Sequence, residues 1–149
     1  FIFMKFDEES FNKSDKLCRE LSLSLLNKLK CYKEFTFNSA EENPNKYGVD
    51  LVLKKNGSIV GYAECEQSYS WKGGNYKYSD TRIPKRKFKY MKYSMPVLMI
   101  KVSESGDSLI MFSAQEMNKK GYTQEVENYR TGLEEMRVLE AKYLSYYSV

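Results

Sequence analysis

Between Ser10 and Lys30 the apolar residues Phe11, Leu17, Leu21, Leu25 and Leu29, joined by Cys18 and Leu26, recur at three- and four-residue steps, which predicts an amphipathic helix. The period then drops to two. Tyr32 to Phe37 alternates as a short strand, and Asn38 to Lys46, with Pro44, reads as a loop. Val49 to Lys54 and Ile59 to Gln67 are β-rich runs separated by Lys55-Asn56-Gly57-Ser58. Asn-Gly at such a point predicts a hairpin, because both residues accept the positive φ of a tight turn. After a connection rich in Tyr, Gly and Lys (Ser68 to Thr81), Ile83 to Tyr93 reads as a helix with Pro84 at its first position, where the missing N–H costs nothing. Met95 to Val102 and Ser108 to Ser113 are nearly continuous apolar runs around the turn Glu104-Ser105-Gly106-Asp107, and predict buried strands. The tail from Gln124 to Val149 reads two ways: Val126, Tyr129, Leu133, Met136 and Leu139 suit a helix, while Arg137 to Tyr147 alternates as a strand. The order of helix, strand, hairpin, helix, two strands and tail predicts an α/β or α+β fold, a single sheet flanked by helices.

Composition narrows the chemistry. A chain of 149 residues, 42% hydrophobic and 15% aromatic, suits one domain over residues 1–149 with one packed core. It contains no histidine, which excludes Ser-His-Asp and Cys-His nucleophiles, imidazole zinc sites and histidine bases. Carboxylates, lysines, tyrosines and metal ions remain. The three cysteines, Cys18, Cys31 and Cys65, are odd in number, far apart and form no CxxC pair, so neither a disulfide framework nor a zinc site is expected. The longest apolar run, Met95 to Ile100, falls far short of the ~20 residues of a membrane helix. Phe1 to Met4 is too short for a signal peptide and is followed by Lys5, Asp7, Glu8 and Glu9. A soluble cytoplasmic protein of a reducing compartment, with no membrane partner, is expected.

The charge is unevenly placed. The segment Lys72 to Lys92 holds Lys72, Lys77, Arg82, Lys85, Arg86, Lys87, Lys89 and Lys92 against Asp80 alone, a net +7 that leaves −3 for the rest of a chain of net charge +4. Such a concentrated basic segment is the footprint of a phosphate-backbone partner. Trp71 and the interleaved tyrosines are suited to stacking on unpaired bases, and equally to packing on their own domain. The bland alternative is a solvated basic helix.

Three acids sit inside strand patterns: Asp50 in Gly48-Val49-Asp50-Leu51, and Glu64 and Glu66 in Ala63-Glu64-Cys65-Glu66. The i, i+2 spacing puts Glu64 and Glu66 on one strand face, with Val60 and Tyr62, where a divalent cation offsets their repulsion. An all-oxygen set is the kind that Mg²⁺ or Mn²⁺ prefers. A wet sheet face with surface ion pairs is the alternative reading.

These residues resemble the PD-(D/E)xK nuclease superfamily. Its pattern, an acid opening one strand of a hairpin and an acid-x-Lys on the next, followed by a helix, is matched by Asp50, then, fourteen residues on, Glu64-Cys65-Glu66, then the basic segment from Ile83. The resemblance spans roughly residues 10 to 113 and implies a restriction-endonuclease-like α-β-β-β-α-β core. It implies a Mg²⁺-dependent endonuclease acting on nucleic acid, read as DNA, and working as a homodimer. Glu66 stands where the pattern has Lys, and some members resemble this variant or supply the lysine from the following helix, which here makes Lys85 or Lys87 the candidate. By the same resemblance Asp50, Glu64 and the Cys65 carbonyl hold the metal, with Glu20 of the first helix as a further ligand. Glu66 binds metal or orients the water, while Lys72, Lys77, Arg82, Arg86 and Lys89 contact phosphates and Trp71 stacks. A non-catalytic nucleic-acid-binding domain and a basic protein-interaction module are the competing readings.

The site makes a geometric demand on the hairpin. A two-residue Asn56-Gly57 turn with regular pairing would set Asp50 opposite Ala63 and turn Glu64 to the other face. The expectation is therefore a three-residue loop with a Gly57 bulge, pairing Asp50 with Tyr62 and bringing Glu64 onto its face.

Overall fold

The computed structural model describes residues 8–128 and 132–149; Phe1 to Met4, the Phe11 side chain and Tyr129 lie outside them. Helix α1 (Glu8–Leu29) leads into a small ribbon of β1 (Cys31–Tyr32) and β2 (Phe35–Thr36), then β3 (Ser39–Glu42), β4 (Leu51–Lys55) and β5 (Ser58–Ser68). After β6 (Asp80–Pro84) come a 3-10 helix (Lys85–Lys92), β7 (Val97–Ser103), β8 (Ser108–Ser113) and α2 (Ala114–Lys120). The chain ends with β9 (Tyr122–Asn128), β10 (Gly132–Glu140), a 3-10 turn (Ala141–Tyr143) and β11 (Ser145–Ser148).

The fold is mixed α+β. A six-stranded sheet runs β11-β8-β7-β5-β4-β3, with β5 and β7 parallel and the other neighbours antiparallel. Among the described residues it is accompanied by a three-stranded sheet, β6-β10-β9, and the β1-β2 ribbon, so the single sheet expected from the pattern is corrected to three. The sheet separates two cores. Leu51, Leu53, Ala63, Cys65, Leu98 and Ile100 pack toward α1, which buries Cys18 and Leu26, with Ser22 between them, while Leu17 stays 43% exposed. Val97, Met99 and Phe112 point the other way, onto Tyr90 of the 3-10 helix, Met117 of α2 and Leu139 of β10.

Four local expectations change. The loop from Asn38 to Lys46 contains β3, whose Ala40 is buried opposite Leu53. The helix expected from Ile83 begins later and is of 3-10 type, because Ile83 and Pro84 pair with Arg137 and Met136 of β10 as the end of β6. This pairing spans over fifty residues of sequence, beyond the reach of any local pattern. The ambiguous tail is β throughout its long elements, an antiparallel hairpin followed by β11. Helix α2 went unassigned although Ser113 and Glu116 form a capping box, each side chain bonding the other's backbone N–H.

The hairpin register decides the rest. Lys55 faces Ser58, and Asn56 and Gly57 have φ of 52° and 82°, so the turn has two residues and the expected three-residue loop with a Gly57 bulge does not form. The extra residue sits instead inside β5: Lys54 pairs with Ile59 but Leu53 pairs with Gly61, leaving Val60 bulged. The shift carries Leu51 onto Ala63, where the ladder ends, and just beyond it the Asp50 carboxylate lies beside Glu64. It also separates Val60, which packs on the α1 side, from Tyr62, which packs on the other, so only Tyr62 shares the Glu64 face. Gly61 belongs to the same device: a Cβ there would lie 2.8 Å from the Phe35 ring and 3.0 Å from the Pro96 carbonyl oxygen. Gly61→Ala is expected to destabilise the fold by about 1–3 kcal/mol through overpacking, measured by urea denaturation.

Candidate active site

Because β4 starts only at Leu51, β5 has an open edge beyond Ala63. Asp50 covers its beginning: Oδ2 accepts a hydrogen bond from the Cys65 N–H at 3.0 Å. The N–H and carbonyl of one strand residue lie on the same edge, so the Cys65 carbonyl points the same way. The edge borders a cleft of about 390 Å³ that includes Asp15 and Cys18 of α1, Asp50, Glu64 and Glu66, and Arg86 and Lys87 of the 3-10 helix.

The 3-10 helix supplies the roof. Its three-residue period aligns Lys87 and Tyr90, and both face the acids. Lys87 Nζ lies 2.8 Å from Glu66 Oε2 and 3.9 Å from Glu64 Oε2, with only 12% of its side chain exposed. Tyr90 donates its hydroxyl to Glu64 Oε1 at 3.0 Å, and the Tyr90 and Tyr93 rings meet edge to face. From below, Lys101 of β7 approaches Glu66 Oε1 at 3.5 Å and donates to the Arg82 carbonyl at 2.7 Å.

Glu64 and Glu66, two residues apart, differ electrostatically. Burial, then the Asp50 carboxylate beside it, pushes the Glu64 carboxyl up to about 7, against the smaller opposing pull of Lys87. Burial acts on Glu66 as well, but Lys101 and Lys87 together outweigh it and hold that carboxyl below its ordinary range. Glu66 is therefore a fixed charge committed to two ammonium groups, and Glu64 is the acid left in excess. Since the folded protein holds a proton on Glu64 above the ordinary carboxylate range, folded molecules bind more protons than unfolded ones between the two values. Stability of the metal-free protein is thus expected to fall as pH rises from about 4.5 through about 7. Glu64→Gln should flatten this slope, read from urea denaturation at about pH 5 and about pH 7.5.

The remaining expected site residues divide. Arg86 borders the cleft and has no ion-pair partner among the described residues. Lys85 does not reach it: two residues from Lys87 on a three-residue period, it turns outward, 71% exposed, to Glu135 at 3.3 Å. Glu20 is corrected too, since it stands 60% exposed on α1 beside Lys16 and away from the cleft. The α1 acid at the cleft is Asp15, paired with Arg19; its spacing of three from the buried Cys18 was the signal. Trp71 is 2% exposed and packs edge-on to Tyr76, so it is a core residue and offers no face to a base. Lys72 pairs with Glu104, Arg82 with Asp80, and Lys89 lies over the Tyr90 ring, while Lys77 is exposed. The Cys65 thiol is raised by its contact with Cys18 and by burial, which leaves it a poor nucleophile.

Among the described residues no cluster of three or more His, Cys, Asp or Glu side chains is arranged to hold a metal ion. What the cleft offers is the facing Asp50 and Glu64 carboxyls with the Cys65 carbonyl beside them. This all-oxygen set fits a Mg²⁺ or Mn²⁺ ion that keeps several waters and shares a substrate phosphate, which takes one or two carboxylates from the protein. No helix is long and apolar enough to cross a membrane among the described residues. No protein-family model, no curated protein and no solved structure matches the chain, and the reading of the site rests on its geometry.

Proposed function

We propose that the chain is a metal-dependent endonuclease hydrolysing phosphodiester bonds of DNA, of the PD-(D/E)xK type with a restriction-endonuclease-like core. One observation carries the reading: beyond a strand bulge the Asp50 and Glu64 carboxyls lie together, and the largely buried Lys87 reaches Glu64 and Glu66 from the following 3-10 helix. The order α1, β3, β4, β5, 3-10 helix, β7 supports it, with β7 parallel to β5, although β6 of the second sheet is interposed before the helix and the helix is 3-10 where an α-helix was expected.

Asp50, Glu64 and the Cys65 carbonyl would hold Mg²⁺ or Mn²⁺, and the ion would supply an activated water and a counter-charge for the phosphate. Tyr90 fixes one Glu64 oxygen and so orients the other. Lys87 faces the non-bridging phosphate oxygens as their charge grows, a stabilisation strengthened by its burial. Glu66 positions Lys87, so the lysine absent from the strand is supplied from the helix. Arg86, at the rim, is a phosphate-positioning contact that sets affinity and not sequence. A homodimer would present two such clefts to two strands.

Supercoiled, linear, single-stranded and four-way-junction DNA, with matched RNA, incubated in Mg²⁺, Mn²⁺ or EDTA, test this. Metal-dependent cutting of DNA supports the proposal. Salt-sensitive binding without cutting would favour a non-catalytic nucleic-acid-binding domain, and no nucleic-acid binding at all would favour a basic protein-interaction module.

A further inference from the structure

On the far side of the Glu66–Lys101 pair a second cleft of about 250 Å³ opens, bordered by Ser68 at the end of β5 and Ser70 just beyond it, Asp80, Thr81 and Arg82 of β6, and Lys101. Its inner wall has donors to spare. Thr81 is 2% exposed, and its hydroxyl, beside that of Tyr76, makes no well-formed hydrogen bond. Arg82 approaches Asp80 through Nε at 3.4 Å, a loose pair at a side chain 40% exposed. Lys101, with 14% of its side chain exposed, directs Nζ to the Arg82 carbonyl and to Glu66 and has a third proton left over. The Ser68 and Ser70 hydroxyls meet only each other, at 3.4 Å. Tyr78 and Tyr76 spend their hydroxyl protons on the Ser70 and Asp80 carbonyls.

A buried hydroxyl without an acceptor, as at Thr81, is costly, and a ligand that brings acceptors to it and to the more open Ser68, Ser70 and Arg82 removes the cost. The lining of the second cleft itself carries two cations, Arg82 and Lys101, against the single acid Asp80. A compact oxyanion satisfies the charge and the donor geometry together.

We propose that this second cleft is a phosphate subsite, in which Arg82, Lys101 and the Thr81, Ser68 and Ser70 hydroxyls bind the backbone phosphate neighbouring the one at Asp50 and Glu64. The word backbone rests on the nuclease reading; the phosphate chemistry does not. The consequence is a polymeric substrate, engaged on both sides of the Glu66–Lys101 pair.

The test is a titration of the metal-free, ¹⁵N-labelled protein with inorganic phosphate and, separately, with a short single-stranded oligodeoxynucleotide. Both are expected to shift the amide resonances of Ser70, Thr81 and Arg82. Arg82→Gln, at a side chain 40% exposed and tolerant of change, should weaken both by about tenfold, whereas Lys85→Gln, at an exposed lysine outside both clefts, should leave the inorganic phosphate titration unchanged. Shifts scattered over the surface, or unaltered by Arg82→Gln, would overturn the subsite. Phosphate shifts that the oligonucleotide does not reproduce would overturn its assignment to a nucleic-acid backbone. If these shifts appear in a protein that cuts no nucleic acid under any metal condition, the nuclease reading fails and the subsite stands.

Discussion

Glu64→Gln is expected to reduce metal-dependent cleavage by about 10³-fold while leaving the protein folded, and at neutral pH more stable than the parent. The two effects share one cause. The Glu64 carboxyl is forced against the Asp50 carboxylate in a buried setting, which raises its pKa to about 7 and makes its charged form costly without a cation. An amide keeps an oxygen for the Tyr90 hydroxyl and removes the repulsion, but it is a far weaker ligand for a hard cation. Loss of activity together with gained stability is the mark of a residue kept for chemistry, and a packing role would give loss of both. Initial cleavage rates and urea midpoints of the same preparations measure it.

Lys87→Met should also fail, differently. It removes a buried cation from above two acids, so cleavage should fall by about 10²–10³-fold and the fold should lose about 2–4 kcal/mol, since Glu66 keeps only Lys101 at 3.5 Å. Lys85→Met is the control. Its ion pair with Glu135 is exposed on both sides and is worth at most about 1 kcal/mol, and cleavage should be unchanged. Equal losses from the two substitutions would show that the basic segment acts as a diffuse patch and that Lys87 has no special place.

What the sequence disclosed was local. Asn56-Gly57 announced the hairpin, the apolar runs announced β7 and β8, and Asp50, Glu64 and Glu66 stood out as acids in strand surroundings. Whether these acids meet depends on one residue of slippage, and Val60 is an ordinary strand residue whose bulge leaves no mark in composition; only the neighbouring Gly61 hints at it. The choice between Lys85 and Lys87 likewise turned on a helix period of three, set after Ile83 and Pro84 were claimed by β10. Lys101 and Tyr90, which complete the surroundings of Glu66 and Glu64, looked like an interruption in an apolar strand and one tyrosine among 13. Sequence leaves Trp71 open between stacking and packing, because an aromatic beside lysines looks the same whether its face is open or packed; the structure buries it. Non-local pairing and burial, which the chain encodes only collectively, account for these gaps.

The most direct measurement compares phosphodiester cleavage by the parent protein and by the Asp50→Asn, Glu64→Gln double variant, side by side, on one DNA substrate in Mg²⁺ and in EDTA. The prediction is cutting by the parent in Mg²⁺ alone and none by the double variant in either condition, with both proteins folded. Undiminished cutting by the double variant, or cutting by the parent that survives EDTA, would contradict a metal-dependent site at Asp50 and Glu64.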